Sequence, residues 1–213
     1  MKYKVMIVED QTMPRELFEL RIQASERFEV ALSIDNAALA DVYCLRFPVD
    51  LILMDVVTRG GESGLDAAER IKRTFPQMKI IIVTSMPECS YLSRAREIGV
   101  ESFWYKEEHR ESLLDVMERT MNGESVYPDA SPELTLGLAS SYDFTERELT
   151  VLREITSGDT NQEIADRLNM SVATVKTHIL NMLEKTGFRN RTELAVRARE
   201  SGLVILNRKS GEL

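Results

Sequence analysis

The sequence predicts an α/β fold, with a doubly wound, five-stranded parallel sheet, followed by a second, all-α four-helix domain. Short apolar runs alternate with amphipathic segments over residues 1–122, which is typical of a parallel sheet covered by helices on both faces. From Asp143 onward the strand pattern stops, and capping boxes open helices instead. A chain of 213 residues suits two small domains.

The predicted strands are apolar runs of strand length. The clearest is Leu51-Ile52-Leu53-Met54, which runs directly into Asp55 and has the continuous apolar character of a strand buried on both faces. The other four cover Lys4–Val8, Glu29–Ile34, Lys79–Thr84 and Ser102–Tyr105.

The predicted helices place apolar residues three or four positions apart and stop near glycine or proline. In the first domain they cover Met13–Ser25, Ala37–Phe47 with Asn36 as its cap, Gly64–Phe75, Glu88–Ile98 and Arg110–Met121. In the last domain they begin after Thr145, after Thr160, at Ser171 and at Thr192. Only Asn169-Met170-Ser171 separates the second and third of these, which is the tight join of a helix-turn-helix.

The stretch between the two domains has two prolines, several small residues and weak periodicity, so we predict a linker over 123–142 between domains at 1–122 and 143–213. The first 124 residues carry 16 basic and 22 acidic side chains, and the stretch from Tyr142 carries 11 of each. An acidic first domain argues against nucleic-acid binding there, and the second could bind only through a local basic patch. Two distant cysteines, no apolar signal segment and no membrane-length run predict a cytoplasmic protein.

Polar side chains follow four predicted strands: Glu9-Asp10, Asp55, Thr84 and Lys106. The carboxyl ends of parallel strands meet at one edge of a sheet, so we expect these groups to share a site. Three acids this close cannot all stay ionised without a cation, and carboxylate oxygens without histidine or cysteine suit Mg²⁺.

This set of residues suits phosphoryl transfer to a carboxylate. Asp55 would be the nucleophile, with Glu9 and Asp10 holding Mg²⁺ beside it. The Thr84 hydroxyl could donate to one phosphate oxygen and the Lys106 ammonium could pair with another. A nucleotide-binding glycine loop is not visible in the sequence, and a small phosphatase or phosphotransferase is disfavoured because no second catalytic base is visible.

Residues 1–122 resemble the flavodoxin-like receiver domain of two-component response regulators, on Glu9-Asp10, Asp55, Thr84 and Lys106. The resemblance implies that a sensor histidine kinase phosphorylates Asp55 and that the Val57 backbone carbonyl completes the Mg²⁺ shell. Phe103, three residues before the lysine, falls at the switch aromatic of such receivers. The resemblance implies that Thr84 and Phe103 shift together when phosphate arrives.

One segment departs from that family. The loop after the phosphoacceptor usually carries a Met-Pro pair and then a glycine, whereas residues 56–64 here read Val-Val-Thr-Arg-Gly-Gly-Glu-Ser-Gly, without proline and one residue longer. An alternative function therefore stays open, in which the chain is a phosphorylation-independent DNA-binding regulator and its receiver is a protein-interaction module.

The helix that starts at Ser171 carries the predicted DNA-binding surface. Val175, Ile179, Met182 and Leu183 share its inward face. The groups predicted to meet phosphates or base edges lie on the other face or near helix starts: Thr160, Thr174, Lys176, Thr177, His178, Leu180, Asn181, Lys185, Arg189 and Arg191.

Residues 143–206 resemble the LuxR-type helix-turn-helix domain, through Phe144-Thr145-Glu146-Arg147-Glu148, Asn161-Gln162-Glu163-Ile164-Ala165, Thr174-Val175-Lys176-Thr177-His178 and Asn190-Arg191-Thr192-Glu193. With the receiver, the chain is similar to the NarL/FixJ-like class of response regulators. That similarity implies a regulator rather than an enzyme, with double-stranded DNA as a partner and a homodimer when phosphorylated. Some members carry a basic residue where this chain has Leu180, so base contact here could be apolar, for example with a thymine methyl.

Overall fold

Five parallel strands form one sheet in the order β2-β1-β3-β4-β5, which confirms the predicted fold class. The structure, a computed structural model, describes residues 2–59, 62–85, 90–106 and 111–204. The strands are Tyr3–Val8 (β1), Phe28–Ile34 (β2), Leu51–Asp55 (β3), Lys79–Thr84 (β4) and Ser102–Tyr105 (β5). The three central strands are almost fully buried because helices cover both of their faces.

The helices of the first domain alternate with these strands. They are Thr12–Gln23 (α1), Ala40–Arg46 (α2), Gly64–Thr74 (α3), Ser90–Ile98 (α4) and Leu113–Met121 (α5). The segment predicted as one helix over Ala37–Phe47 begins as a 3₁₀ turn over Ala37–Leu39. Asn36 caps that turn as predicted, because its side chain accepts a hydrogen bond from the Ala38 N–H. The predicted helix starts at Glu88 and Arg110 lie outside the described residues.

Strand alternation divides the core of the sheet into two apolar layers. Leu53 of β3 faces a layer built with α1 and α5, which includes Phe18 and Val116. Met54, the next residue, faces the opposite layer, built with α3 and α4, which includes Leu65 and Leu92. The sheet is therefore covered on both sides, and its polar strand ends are left at one edge.

The chain passes into a second unit between Asp129 and Ala130. A two-stranded antiparallel ribbon, Thr135–Leu136 (β6) and Ala139–Ser140 (β7), begins it, which the weak periodicity of this stretch did not predict. The Tyr142 hydroxyl donates a hydrogen bond to the Ser131 carbonyl, so the chain is fastened to this unit from Ser131 onward.

Four helices follow, Glu146–Thr156 (α6), Asn161–Arg167 (α7), Val172–Thr186 (α8) and Arg191–Ser201 (α9), which confirms the predicted all-α domain. Thr145 and Thr160 form the two predicted capping boxes. Gly187 ends α8 at a φ of 73°, a left-handed conformation that favours glycine. None of the helices in the described ranges is long and apolar enough to span a membrane.

Candidate functional site

Three carboxylates meet at the carboxyl edge of the sheet. Oxygen atoms of Glu9, Asp10 and Asp55 all lie within 4.8 Å of one another. The strand register explains this cluster, because Val8 pairs with Met54, so the residues that follow each of them emerge side by side. Glu9 is fully buried and Asp55 is 3% exposed, so two of the three carboxylates lie below the protein surface.

Lys106 joins this cluster although it follows the strand at the far edge of the sheet. Its Nζ donates to Asp55 Oδ2 at 2.9 Å and to Glu9 Oε2 at 2.5 Å. Its backbone N–H donates to the Thr84 carbonyl at 2.9 Å, which continues the pairing of β4 with β5 and aims the side chain across the edge. A single ammonium thus bridges two buried carboxylates.

Burial sets the protonation of the site. It raises the pKa of Asp55 to about 7, against the opposing charge of Lys106 and with the help of the nearby Glu9 carboxylate. Burial disfavours the Lys106 ammonium, but the Asp55 and Glu9 carboxylates outweigh this and hold the pKa of Lys106 above its ordinary value. Three carboxyl groups thus share one ammonium, and this excess of acidic groups favours the binding of a further cation.

The donor set fits a hard divalent cation. It offers carboxylate oxygens from neighbouring strand ends, and the described residues around it add no thiol or imidazole. Val57, the predicted carbonyl ligand, lies two residues after Asp55 and forms an antiparallel bridge with Ser63. Gly64 closes this loop against β3, where a Cβ would lie 1.9 Å from the Asp55 carbonyl oxygen, so the position requires glycine. Gly60 and Gly61 lie outside the described residues.

Thr84 and Phe103 lie on neighbouring strands, β4 and β5. Thr84 is buried at the end of β4 and pairs with Tyr105 in the strand register. Phe103 is two residues earlier on β5, buried in the layer that faces α3 and α4. Thr84 therefore ends the strand next to the one that carries Asp55, whereas Phe103 lies within the apolar layer of the sheet.

Two tyrosines near the site were missed by the sequence analysis. The Tyr105 ring lies 5.0 Å from the Phe103 ring. Tyr91, near the start of α4, is close enough to Asp55 that burial, and then the Asp55 charge, raise the pKa of its phenol. The aromatic run Phe103-Trp104-Tyr105 could have indicated a role for Tyr105. Tyr91 is a single tyrosine in a helix, and no pattern in the sequence marks it.

The chain after α5 returns to the edge of the sheet. The Phe103 N–H donates to the Val126 carbonyl at 2.8 Å, and the Val126 N–H donates to Ser102 Oγ at 3.1 Å. Tyr127 follows, with its hydroxyl donating to the Val100 carbonyl at 2.8 Å and its ring 4.8 Å from the Arg96 guanidinium carbon. Residues predicted as linker are therefore fastened to β5 and α4.

In the second unit, α8 is amphipathic in the predicted sense. Val175, Ile179 and Met182 are buried, and Leu183 is half-buried. The opposite face exposes the predicted contact residues Lys176, Thr177, Leu180 and Asn181. Leu180 is 59% exposed, a large apolar side chain presented to solvent on the same face as Lys176 and Thr177. Ser171 caps the helix by accepting from the Thr174 N–H at 3.0 Å.

The other side chains predicted to contact DNA differ in their exposure and in the hydrogen bonds that they already make. Lys185 Nζ donates to Glu148 Oε2 at 2.7 Å and to the Asp143 carbonyl at 2.8 Å. Its ammonium is therefore already paired within the domain. Arg191 donates to Asn161 Oδ1 and to the Asp159 carbonyl. The Thr160, Thr174 and Thr177 hydroxyls are hydrogen-bonded within their helices, His178 is half-buried, and Arg189 is exposed.

Comparison with known proteins covers both units. The family model "Response regulator receiver domain" matches residues 5–118. The family model "Bacterial regulatory proteins, luxR family" matches residues 143–198.

Relatives extend over the whole length. The response regulator protein VraR of Staphylococcus aureus is 31% identical over 212 residues, which cover 96% of this chain and 100% of VraR. A solved structure of two RcsB dimers bound to two parallel DNAs has a TM-score of 0.61 at 18% identity, covering 93% of this chain and 98% of that one. RcsB of Salmonella enterica serovar Typhimurium, bound to a promoter with a phosphomimetic, has a TM-score of 0.60 at 21% identity, covering 96% of this chain and 100% of that one.

Proposed function

Because the chain belongs to the response regulators that join a receiver domain to a LuxR-type DNA-binding domain, we propose that phosphorylation of Asp55 by a histidine kinase promotes its dimerisation and its sequence-specific binding to DNA. Proteins of this family are transcription regulators rather than enzymes. The observation that carries the proposal is the bridge from Lys106 to Asp55 within a cluster of three acids, of which Glu9 and Asp55 are buried.

In this proposal, Asp55 accepts the phosphoryl group. A carboxylate oxygen of Asp55 attacks phosphorus, an O–P bond forms, and the P–N bond of the kinase phosphohistidine breaks, with its electron pair returning to the imidazole nitrogen, which takes up a proton. Lys106 then exchanges a carboxylate partner for a phosphoryl oxygen, and the Thr84 hydroxyl donates to another. The reaction needs Asp55 ionised, and its raised pKa makes this depend on the cations around it.

Glu9, Asp10 and Asp55, with the Val57 carbonyl, would hold Mg²⁺ at this edge. When bound, the ion neutralises charge on the phosphoryl oxygens. Its second effect is on the protein itself, because a divalent cation beside Asp55 favours the carboxylate over the carboxylic acid.

The exposed face of α8 supports DNA binding in the major groove. Lys176 suits a phosphate, Thr177 and Asn181 suit base edges, and Leu180 suits a thymine methyl. The solved RcsB structures are DNA complexes of that protein, one of them with two RcsB dimers, and their identity of 18–21% to this chain supports a shared fold. A phosphorylated homodimer of this chain would place two α8 helices about one DNA turn apart on an inverted repeat. DNA as the target implies a cytoplasmic location.

The test is intact mass after incubation with Mg²⁺ and acetyl phosphate, for wild type and Asp55→Ala. We expect one phosphate on wild type and none on the variant. The phosphorylated protein then selects duplexes from a random-sequence pool, and affinity for the selected sequence is compared with and without phosphate. Tighter binding only in the phosphorylated form supports the proposal. Equal binding in both forms, or no phosphate on a folded wild type, favours the phosphorylation-independent alternative.

A further inference from the structure

The loop after Asp55 lacks the proline of its family, and the structure shows a different restraint in its place. We propose that Thr58 is a positioning residue for the metal site. Its side chain anchors the loop to the turn after β2 and thereby fixes the direction of the neighbouring Val57 carbonyl. This inference rests on the proposed function, since it assigns Val57 to the Mg²⁺ shell.

The anchor is a buried hydrogen bond between two distant segments. Thr58 Oγ1 accepts from the Ala37 N–H at 2.9 Å, and both residues are buried, Thr58 being 7% exposed and Ala37 fully enclosed. Ala37 begins the 3₁₀ turn, where an N–H has no partner within its own helix. The Asn36 side chain accepts from the next N–H, that of Ala38, so the Ala37 N–H takes its acceptor from Thr58.

A second contact fastens the same segment. The Arg59 N–H donates to the Asp35 carbonyl at 3.2 Å. The Arg59 side chain also pairs with the Asp35 carboxylate at 3.4 Å, but both side chains are at least half exposed, so this ion pair contributes little. The buried Thr58 bond is therefore the stronger restraint on this side of Val57.

Val57 is held from its other side as well. The Val56 carbonyl accepts from the Gly64 N–H at 2.8 Å, and Val57 itself bridges to Ser63. The direction of the Val57 carbonyl is that of the peptide plane shared with Thr58, and two backbone torsions can turn it. A proline would restrict such a segment by fixing φ, whereas here a side-chain hydrogen bond fixes the residue that follows the carbonyl.

The test compares Thr58→Val, which keeps the shape and removes the acceptor, with Thr58→Ser, which keeps the acceptor. Arg59→Ala is the control for the exposed ion pair. The first readout is Mg²⁺ affinity without phosphodonor, from the dependence of the thermal midpoint on Mg²⁺ concentration. The second is the rate of phosphorylation by acetyl phosphate as a function of Mg²⁺.

We expect Thr58→Val to weaken Mg²⁺ binding by about fivefold to tenfold, the range of one neutral hydrogen bond. Its phosphorylation rate at saturating Mg²⁺ should stay within about twofold of wild type, as expected for a residue that acts through the metal shell. Thr58→Ser and Arg59→Ala should bind Mg²⁺ within about twofold of wild type.

Wild-type Mg²⁺ affinity in Thr58→Val, or equal weakening in Thr58→Val and Thr58→Ser, would overturn the inference while leaving the proposed function intact. A wild type that binds no Mg²⁺ and takes up no phosphate would overturn both. If Thr58→Val does not fold, Thr58→Ala takes its place, with the same expected weakening and the same Ser rescue.

Discussion

The Tyr127 ring lies 6.3 Å from the Phe103 ring at an interplanar angle of 34°, so the chain after α5 packs directly on an aromatic residue of β5. Tyr127 also caps the Val100 carbonyl and stacks beside Arg96. The stretch after α5 is thus part of the receiver surface, in contact with the residue at its predicted switch position.

Replacing Tyr127 should destabilise the first unit. We expect Tyr127→Ala to lower its free energy of unfolding by about 2 kcal/mol, through lost aromatic packing and a lost hydrogen bond, and Tyr127→Phe by about 1 kcal/mol or less. Trp104, the single tryptophan, lies in this unit and reports its urea unfolding by fluorescence. Identical midpoints for wild type and Tyr127→Ala would contradict the packing described here.

Asp55→Asn should stabilise the Mg²⁺-free protein at neutral and alkaline pH. Burial raises the pKa of Asp55 from 3.8 to about 7, so the folded state holds a proton that the unfolded state releases between these values. Wild type therefore loses stability as pH rises from about 4 to about 7 and levels off above that, and the uncharged amide does not. The gap should be near zero at pH 4 and about 4 kcal/mol at pH 8, at about 1.4 kcal/mol for each pH unit between the two pKa values. Urea unfolding across this range measures it, and a gap that shrinks as pH rises would refute the assignment.

Lys106→Met should make the protein dependent on a divalent cation. Removing the ammonium leaves Glu9 and Asp55 buried without a countercharge, which should cost about 3 kcal/mol in Mg²⁺-free buffer. Mg²⁺ should then raise the thermal midpoint of Lys106→Met more than that of wild type, because the ion no longer competes with the ammonium.

Lys79→Met is the matched control for that experiment. Its ammonium lies 3.5 Å from Glu101, which Lys72 already pairs at 2.6 Å, so its loss should cost under about 1 kcal/mol. An equal Mg²⁺ response in Lys106→Met and wild type would argue that the ion does not occupy this edge.

Two lysines of α8 should behave differently in DNA binding. Lys176 is exposed on the outward face, so Lys176→Ala should weaken binding to a duplex of arbitrary sequence and lower the salt slope by about 1. Lys185 pairs with the buried Glu148, whose pKa is held low against burial by hydrogen bonds from Lys185 and Thr145. Lys185→Ala should cost the second unit about 2 kcal/mol and leave the salt slope unchanged. A salt slope that is lowered in Lys185→Ala and unchanged in Lys176→Ala would indicate that Lys185, rather than Lys176, contacts a DNA phosphate.

Local patterns were sufficient for the strands, most helix boundaries and the acid cluster. Buried parallel strands are apolar runs, and whatever follows them must emerge at one edge, so Glu9, Asp10 and Asp55 could be grouped without coordinates. The inward face of α8 followed from its period, and its caps from Ser171 and Gly187. These features depend on residues near each other in sequence or on a rule of sheet geometry.

Tertiary contacts were beyond such patterns. That Lys106 bridges Glu9 and Asp55 depends on side-chain packing across three strands. The helical period places Lys185 on an exposed face of α8, yet its ammonium is hydrogen-bonded to Glu148 of α6. Tyr127 belongs to a stretch with no period at all, and its place on β5 is set by a backbone hydrogen bond to Val126.

The stretch between the two units is a joint with very few degrees of freedom. Contacts fasten the chain to the first unit through Tyr127 and to the second from Ser131. Pro128, Asp129 and Ala130 lie between, spanning about 10 Å when extended. Three residues have six soft backbone torsions, and the proline ring fixes one, leaving about five. The backbone freedom of this stretch is therefore confined to a few torsions, whereas a linker over all of residues 123–142 would have nearly forty, on the order of two per residue.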